Sequence, residues 1–116
     1  MSLKKTVRLW VDDLRDPPVR VDTEYIIARS VNQAKAAIAL AEKPAWCRPI
    51  DYISIDHDAG IYAAAGGDYI NLLNWLEYRQ HTEHGQVYPI RIHSFNPVGA
   101  TNMRAIIKRN NWKEIY

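Results

Sequence analysis

Cysteine is almost absent from this chain. Cys47 stands alone, which excludes an internal disulfide and any zinc site built from several thiolates. An excess of charge of one sign is missing too: Lys and Arg number 15 against 13 Asp and Glu, a net charge of +2. Nothing in that balance calls for a long nucleic acid or an anionic membrane as partner. No apolar run approaches the ~20 residues of a membrane span, and no repeat, low-complexity block or linker divides the 116 residues. Met1–Lys5 leads at once into a strand-like run containing Arg8 and Asp12, so no signal peptide is expected. The expectation is a single domain, 1–116, soluble and cytoplasmic, with 47% hydrophobic residues to build one core.

What is present is alternation. Thr6–Asp12 reads as a strand, with Val7, Leu9 and Val11 on one face and Trp10 on the other. Leu14–Thr23 carries Pro17-Pro18 and no helical period, so it reads as an irregular connection to a second strand, Glu24–Arg29. Ser30-Val31-Asn32-Gln33 has the Ser-x-x-Gln form of a capping box, and Val31, Ala34, Ile38 and Ala41 continue at helical spacing until Pro44. Ile50–Asp56 is a third strand, apolar enough for burial on both faces. Ala59–Gly67 reads as a mobile loop, and Asp68 as the cap of a helix whose core face is Tyr69, Leu72, Leu73 and Leu76, ending at Gly85. Tyr88–Ser94 is the fourth strand. Asn96-Pro97 then forms a helix entry, and Met103, Ile106 and Ile107 give that helix its core face. Strand–helix alternation predicts a four-stranded, mostly parallel sheet in order 2-1-3-4, a trimmed flavodoxin-like three-layer sandwich of the α/β class.

Three polar clusters fall where apolar strands end: Asp12-Asp13, Asp56-His57-Asp58, and His93-Ser94-x-Asn96-Pro97. In a parallel sheet the carboxyl ends share one rim, and ligands bind there. Neighbouring strands lie about 4.8 Å apart, so Asp12, Asp13 and Asp56 converge. Carboxylates that close require a proton or a cation between them. Oxygen ligands favour Mg²⁺, Mn²⁺ or Ca²⁺ over zinc, and His57 or His93 would also admit a transition metal. The two imidazoles are the candidate acid and base, since they alone titrate near neutrality unaided. Ser94, Asn96 and the amides after Pro97, with Gly99 keeping the turn narrow, form a candidate phosphate cradle. Arg15 could clamp a phosphate oxygen, or pair with Asp13 or Asp16. A rival metal set, Glu77, His81 and His84, shares one helix face, although histidines suit a helix carboxyl end anyway. Cys47 beside Trp46 has no partner in the sequence and reads as a packed or idle thiol.

The runs Leu9-Trp10-Val11-Asp12-Asp13-Leu14-Arg15-x-Pro17, Ile53-Ser54-Ile55-Asp56-His57-Asp58-x-Gly60 and Ile92-His93-Ser94-x-Asn96-Pro97-x-Gly99 occur in that order. Together they resemble the motifs of cyclic-phosphate processing receiver-like domains, over nearly the whole chain. The resemblance implies the receiver fold and action on cyclic phosphates of nucleotides or RNA ends. It aligns Asp12 and Asp13 with the receiver acidic pair, Asp56 with the phosphoacceptor, and Ser94 with the hydroxyl ending the fourth strand. Departures are informative: the Pro17-Pro18 loop replaces the first receiver helix, and the fifth strand with its switch lysine has no counterpart. His57 and His93 are additions, Ala59 stands where a larger aliphatic residue is usual, and Ile61–Gly66 reads as a variable lid.

The reading that combines these features is a metal-assisted phosphoesterase opening a cyclic phosphodiester. Asp12, Asp13, Asp56 and Asp58 would hold Mg²⁺ or Mn²⁺, His57, His93 and Asp56 would carry the chemistry, and Arg15, Ser94, Asn96 and Gly99 would bind substrate. Two alternatives stand beside it. One is a receiver-like switch phosphorylated on Asp56. The other is a passive nucleotide or RNA-end binder using Trp10 and exposed tyrosines to stack bases.

Overall fold

The computed structural model describes residues 5–45 and 48–116, so Trp46 and Cys47 lie outside it. Four strands, β1 (Thr6–Val11), β2 (Thr23–Ala28), β3 (Tyr52–Ile55) and β4 (Ile90–Ile92), form one parallel sheet in order β2-β1-β3-β4. Three helices follow β2, β3 and β4: α1 (Val31–Ala41), α2 (Ile70–Glu83) and α3 (Pro97–Arg109). No helix among the described residues is long and apolar enough to cross a membrane.

The register explains both core and rim. Leu9 stands opposite Ile26 and Ile53, and Ile53 opposite Ile90, so one sheet face is a continuous aliphatic surface. Val31, Ala34 and Ile38 of α1, Leu72, Leu73 and Leu76 of α2, and Met103, Ile106 and Ile107 of α3 join that face in one buried cluster. All three helices therefore cover the same face, with α2 touching both α1 and α3. Right-handed crossovers that step from β2 over β1 to β3, and then to β4, require this. Here the structure departs from the three-layer expectation. The connection that would place a helix on the second face, from β1 to β2, is the irregular segment carrying Pro17-Pro18, which holds no helix.

Local signals mostly do what their chemistry suggests. The Ser30 hydroxyl accepts from the Gln33 amide at 3.0 Å, but Gln33 Oε1 reaches back to the Arg29 amide at 2.7 Å, one residue beyond the usual box. Asn96 caps α3 by accepting from Gly99 N–H at 3.0 Å, with Pro97 in the first turn. The expected Asp68 cap does not form, because α2 starts one residue later and its cap position is Tyr69. Asp68 instead accepts from the Ala59 amide at 3.0 Å, tying down the Ala-rich segment. That segment is a 3-10 helix, Gly60–Ala65, where the sequence suggested a mobile loop. His84, at φ 53°, ends α2 in the left-handed conformation, and the Gly85 amide bonds Arg79 O at 2.9 Å. A remnant of a fifth strand exists as a single parallel bridge from Ile90 to Glu114. It pairs at the start of β4, so Lys113 lies at the end of the sheet away from the rim.

Because α1 is anchored through its cap, Ser30→Ala should cost about 1 kcal/mol of stability. Urea unfolding would measure it as a lower midpoint at unchanged slope.

Candidate active site at the carboxyl rim of the sheet

The rim begins with a carboxylate that is fully buried. Asp12 follows β1, is 0% exposed, and has every acceptor direction filled. Its Oδ1 accepts from the amides of Leu14 (3.0 Å) and Arg15 (2.9 Å), an Asx-type turn that reverses the chain. Its Oδ2 accepts from Arg15 Nε (3.0 Å) and pairs with His93 Nε2 (3.0 Å). Burial alone would raise the Asp12 pKa, yet the two amides, His93 and Arg15 together hold it below the ordinary value.

His93 is the second layer behind that carboxylate. Its ring stacks on Trp10 at 4.2 Å and 8°, its side chain is 9% exposed, and its Nδ1 lies 2.8 Å from the Ser54 hydroxyl. Burial pushes His93 below the usual imidazole value of 6.5, against the opposing pull of Asp12. A neutral ring with N–H on Nε2 donates to Asp12 and accepts from Ser54, which uses both nitrogens. Asp12, His93 and Ser54 thus form a buried relay, and Ser54 at 0% exposed has no access to substrate. Trp10, proposed above as a base-stacking platform, is 5% exposed and fills this interior role.

In front of Asp12 opens a cleft of about 440 Å³ lined by Asp12, Asp13, Leu14, Arg15, Asp56, Asp58, Gly60, Phe95 and Asn96. Ligand atoms of Asp12, Asp13 and Asp56 lie within 4.8 Å of one another. Asp13 is pushed above its ordinary value by burial and then by the charges of Asp12, Asp56 and Asp58. Among the described residues Arg15 supplies the only cation in the cleft lining, and it pairs with Asp12 and, at 3.4 Å through Nη2, with Asp56, rather than with Asp13 or Asp16. Asp16 is taken by Arg29, which also donates to the carbonyls of Asp12 and Arg15. Tyr69, buried beneath the acidic group, donates to Arg29 O at 2.6 Å. A hard cation fits this donor set through Asp13 and Asp56, whose oxygens are not saturated, while Asp12 has no acceptor direction left.

Asp58 belongs to a second group. It lies 2.7 Å from His57 Nδ1 and accepts from Asn96 Nδ2 at 3.3 Å, and the His57 contact holds it below the ordinary carboxylate value. With His57 and Asp68 it forms a separate metal-compatible group. His57 is 14% exposed at the side chain, and its Nε2 makes no hydrogen bond to the described residues. Gly99 contributes through its missing side chain: a Cβ there would fall 2.4 Å from the His57 ring. Its amide is used by Asn96, and the Asn96 amide by the Ser94 hydroxyl at 3.0 Å, so the cradle is largely self-satisfied. Glu77, His81 and His84 do not assemble. Glu77 pairs with Arg109 and Asn110, which holds it down to about 2, and His81 bonds Asn110. Sequence reasoning missed Ser54, Arg29, Phe95 and Leu14 as parts of the site. The last two had a signal, since Leu14 stands within the first motif and Phe95 fills the open position of the third.

Two outcomes follow. Gly99→Ala should displace the His57 ring and cost about 1–3 kcal/mol, visible as a changed His57 imidazole resonance together with a lower unfolding midpoint. His93 should titrate below 6.5 by NMR. Because its folded pKa is depressed, the unfolded chain takes up the proton first. The stability His93 contributes is therefore full above 6.5 and falls as pH drops from there toward the folded value.

Comparison with known proteins adds one finding at this point. No curated protein and no solved structure matches the chain significantly. A family model, the cyclic-phosphate processing receiver domain, matches residues 7–109, a span that takes in all of the sheet but Thr6, together with the relay and both acidic clusters. The chain belongs to the cyclic-phosphate processing receiver domain family.

Proposed function

We propose that this domain is a metal-assisted phosphoesterase that opens cyclic phosphates of nucleotides or RNA ends. The observation that carries the reading is the convergence of Asp12, Asp13 and Asp56 in one open cleft with Arg15 beside them. Asp13 and Asp56 would hold a divalent cation, Mg²⁺ or Mn²⁺, which when bound neutralises phosphoryl oxygens and lowers the pKa of water. The Arg15 fork is fixed by Asp12 and the His93 carbonyl, which leaves Nη1 to donate to a phosphate oxygen. Asn96 lines the cleft from the start of α3, and the Ser94 hydroxyl holds the Asn96 amide behind it.

The two histidines divide their roles on geometric grounds. His93, with both nitrogens engaged and its ring stacked on Trp10, positions Asp12 and through it Arg15. His57 keeps Nε2 free while Asp58 orients the ring through Nδ1, the arrangement of a proton-transfer group. Leu14 and Phe95, 84% and 87% exposed, form apolar walls at the mouth of the cleft, where the flat face of a nucleobase would lie. Phe95 also stacks over the Arg15 guanidinium at 4.6 Å.

Phosphorus NMR of nucleoside 2′,3′- and 3′,5′-cyclic phosphates with Mg²⁺ or Mn²⁺ tests this directly. Turnover should appear with wild type, vanish in EDTA and return with metal. His57→Ala should slow it ~10²–10⁴-fold, and Asp13→Asn should abolish the metal-dependent turnover. A stable acyl-phosphate on Asp56 after acetyl phosphate treatment, with no turnover of any cyclic phosphate, would establish the switch instead.

A further inference from the structure

The sheet face away from the helices holds a buried cation that nothing at the rim uses. Arg8, in the middle of β1, is 5% exposed, yet its Nε and Nη1 are buried without a hydrogen-bond partner. Its guanidinium lies between two rings, 4.4 Å from the centre of Tyr52 and 5.4 Å from that of Tyr25. These are its direct neighbours in the register, on β3 and β2. The Tyr25 hydroxyl is buried and unpartnered as well. A buried unpaired guanidinium is among the more costly features a fold can carry, and the two ring faces offset only part of that cost.

The surroundings add positive charge. Arg91 and Arg20 lie close enough to depress the Arg8 pKa further after burial, opposed by Tyr25 and Asp22. Arg91 shares this face through its pairing with Ser54, and it has no ion-pair partner among the described residues. Arg20 is partly spent on Asp22 at 3.6 Å. Three guanidinium groups against one carboxylate leave two positive charges, which a dianionic phosphate neutralises and a single carboxylate does not. The buried guanidinium is reached from its surroundings, since Arg20 is exposed, Tyr25, Tyr52 and Arg91 are each half-buried, and no described helix covers this face. Arg8 lies four residues before Asp12, roughly 13 Å along the strand, with the buried Trp10 between them, so this is a place separate from the cleft.

We propose that Arg8, Tyr25 and Arg91, with Arg20 at the edge, form a second binding site that takes a phosphate monoester. The guanidinium fork of Arg8 supplies paired donors to two phosphate oxygens and the Tyr25 hydroxyl a third. Arg91 supplies the remaining charge.

The test is NMR titration in EDTA, where the metal-free acidic cleft repels anions and leaves this face as the phosphate site. Inorganic phosphate and a nucleoside 5′-monophosphate should shift the Arg8 Nε–H resonance and the Tyr25 and Tyr52 amides. A dinucleotide with only a diester phosphate should bind more weakly. Arg8→Met should weaken phosphate binding roughly tenfold or more, and Arg91→Gln should weaken it by a smaller factor. If Arg8→Met does not fold, Arg91→Gln and the wild-type Arg8 Nε–H shift decide the matter. Unmoved Arg8, Tyr25 and Tyr52 signals would overturn the proposal, as would variants that bind phosphate like wild type. A tetraglutamate peptide that moves the same signals more tightly than phosphate would also overturn it, and would assign the face to an acidic protein segment.

Discussion

The Asp12 carboxylate is the constraint around which the rim is organised. It is buried without exposure and compensated by four donors from three directions: two amides of the chain reversal, the Arg15 side chain, and His93. A buried charge is tolerated only when its acceptor directions are filled, and removal of one partner from such a set typically costs about 3–5 kcal/mol. The four bonds also define the site. They fix the turn after β1, aim Arg15 across the cleft at Asp56, and seat His93 on Trp10. With Asp12 committed inward, Asp13 is the carboxylate left facing the cleft, close to like charges that raise its pKa. The like charges that a cation would neutralise meet at Asp13 and Asp56.

The architecture around this point is asymmetric. Three helices crowd one face of the sheet, while the connection from β1 to β2 crosses the other end as an irregular segment. That segment is held by the Arg29 bonds to the Asp12 and Arg15 carbonyls and by the Trp10 indole N–H to Arg15 O at 2.8 Å. A loop fixed at its root but without a helix leaves the cleft open to solvent and Leu14 exposed at its mouth. The same absence leaves Arg8 and its two tyrosines on a face that receivers with a full set of helices would cover. The open cleft at the rim and the helix-free face around Arg8 thus share one structural cause.

Much of this was legible from residue order. Strand ends carrying Asp12, Asp56 and His93 had to meet once the sheet was parallel, and the caps at Ser30 and Asn96 followed from local chemistry. The parts that were not legible depend on side-chain direction across strands. Ser54 looked like one polar residue in a buried strand, and only the register with Trp10 and Arg91 places it beneath His93. Trp10 had the same apolar signature as any core residue or base platform, and its stacking on His93 settled the choice. Asp68 satisfied the rule for a helix cap, but the Ala59 amide nine residues earlier competed for its carboxylate and won. The Ala-rich stretch after Asp58 carried no periodicity because a 3-10 turn of six residues is too short to show one.

The central claim is that the rim is a cation site held by Asp13 and Asp56, with Asp12 serving as its internal anchor. Paramagnetic broadening by Mn²⁺ tests it without needing a substrate. Substoichiometric Mn²⁺ should selectively erase amide signals around Asp13, Asp56 and Gly60 in wild type, and Mg²⁺ in excess should restore them. Asp13→Asn should lose the effect while the His93 and Trp10 signals stay in place. Broadening centred on His57, Asp58 and Asp68 instead, or undiminished in Asp13→Asn, would contradict the account.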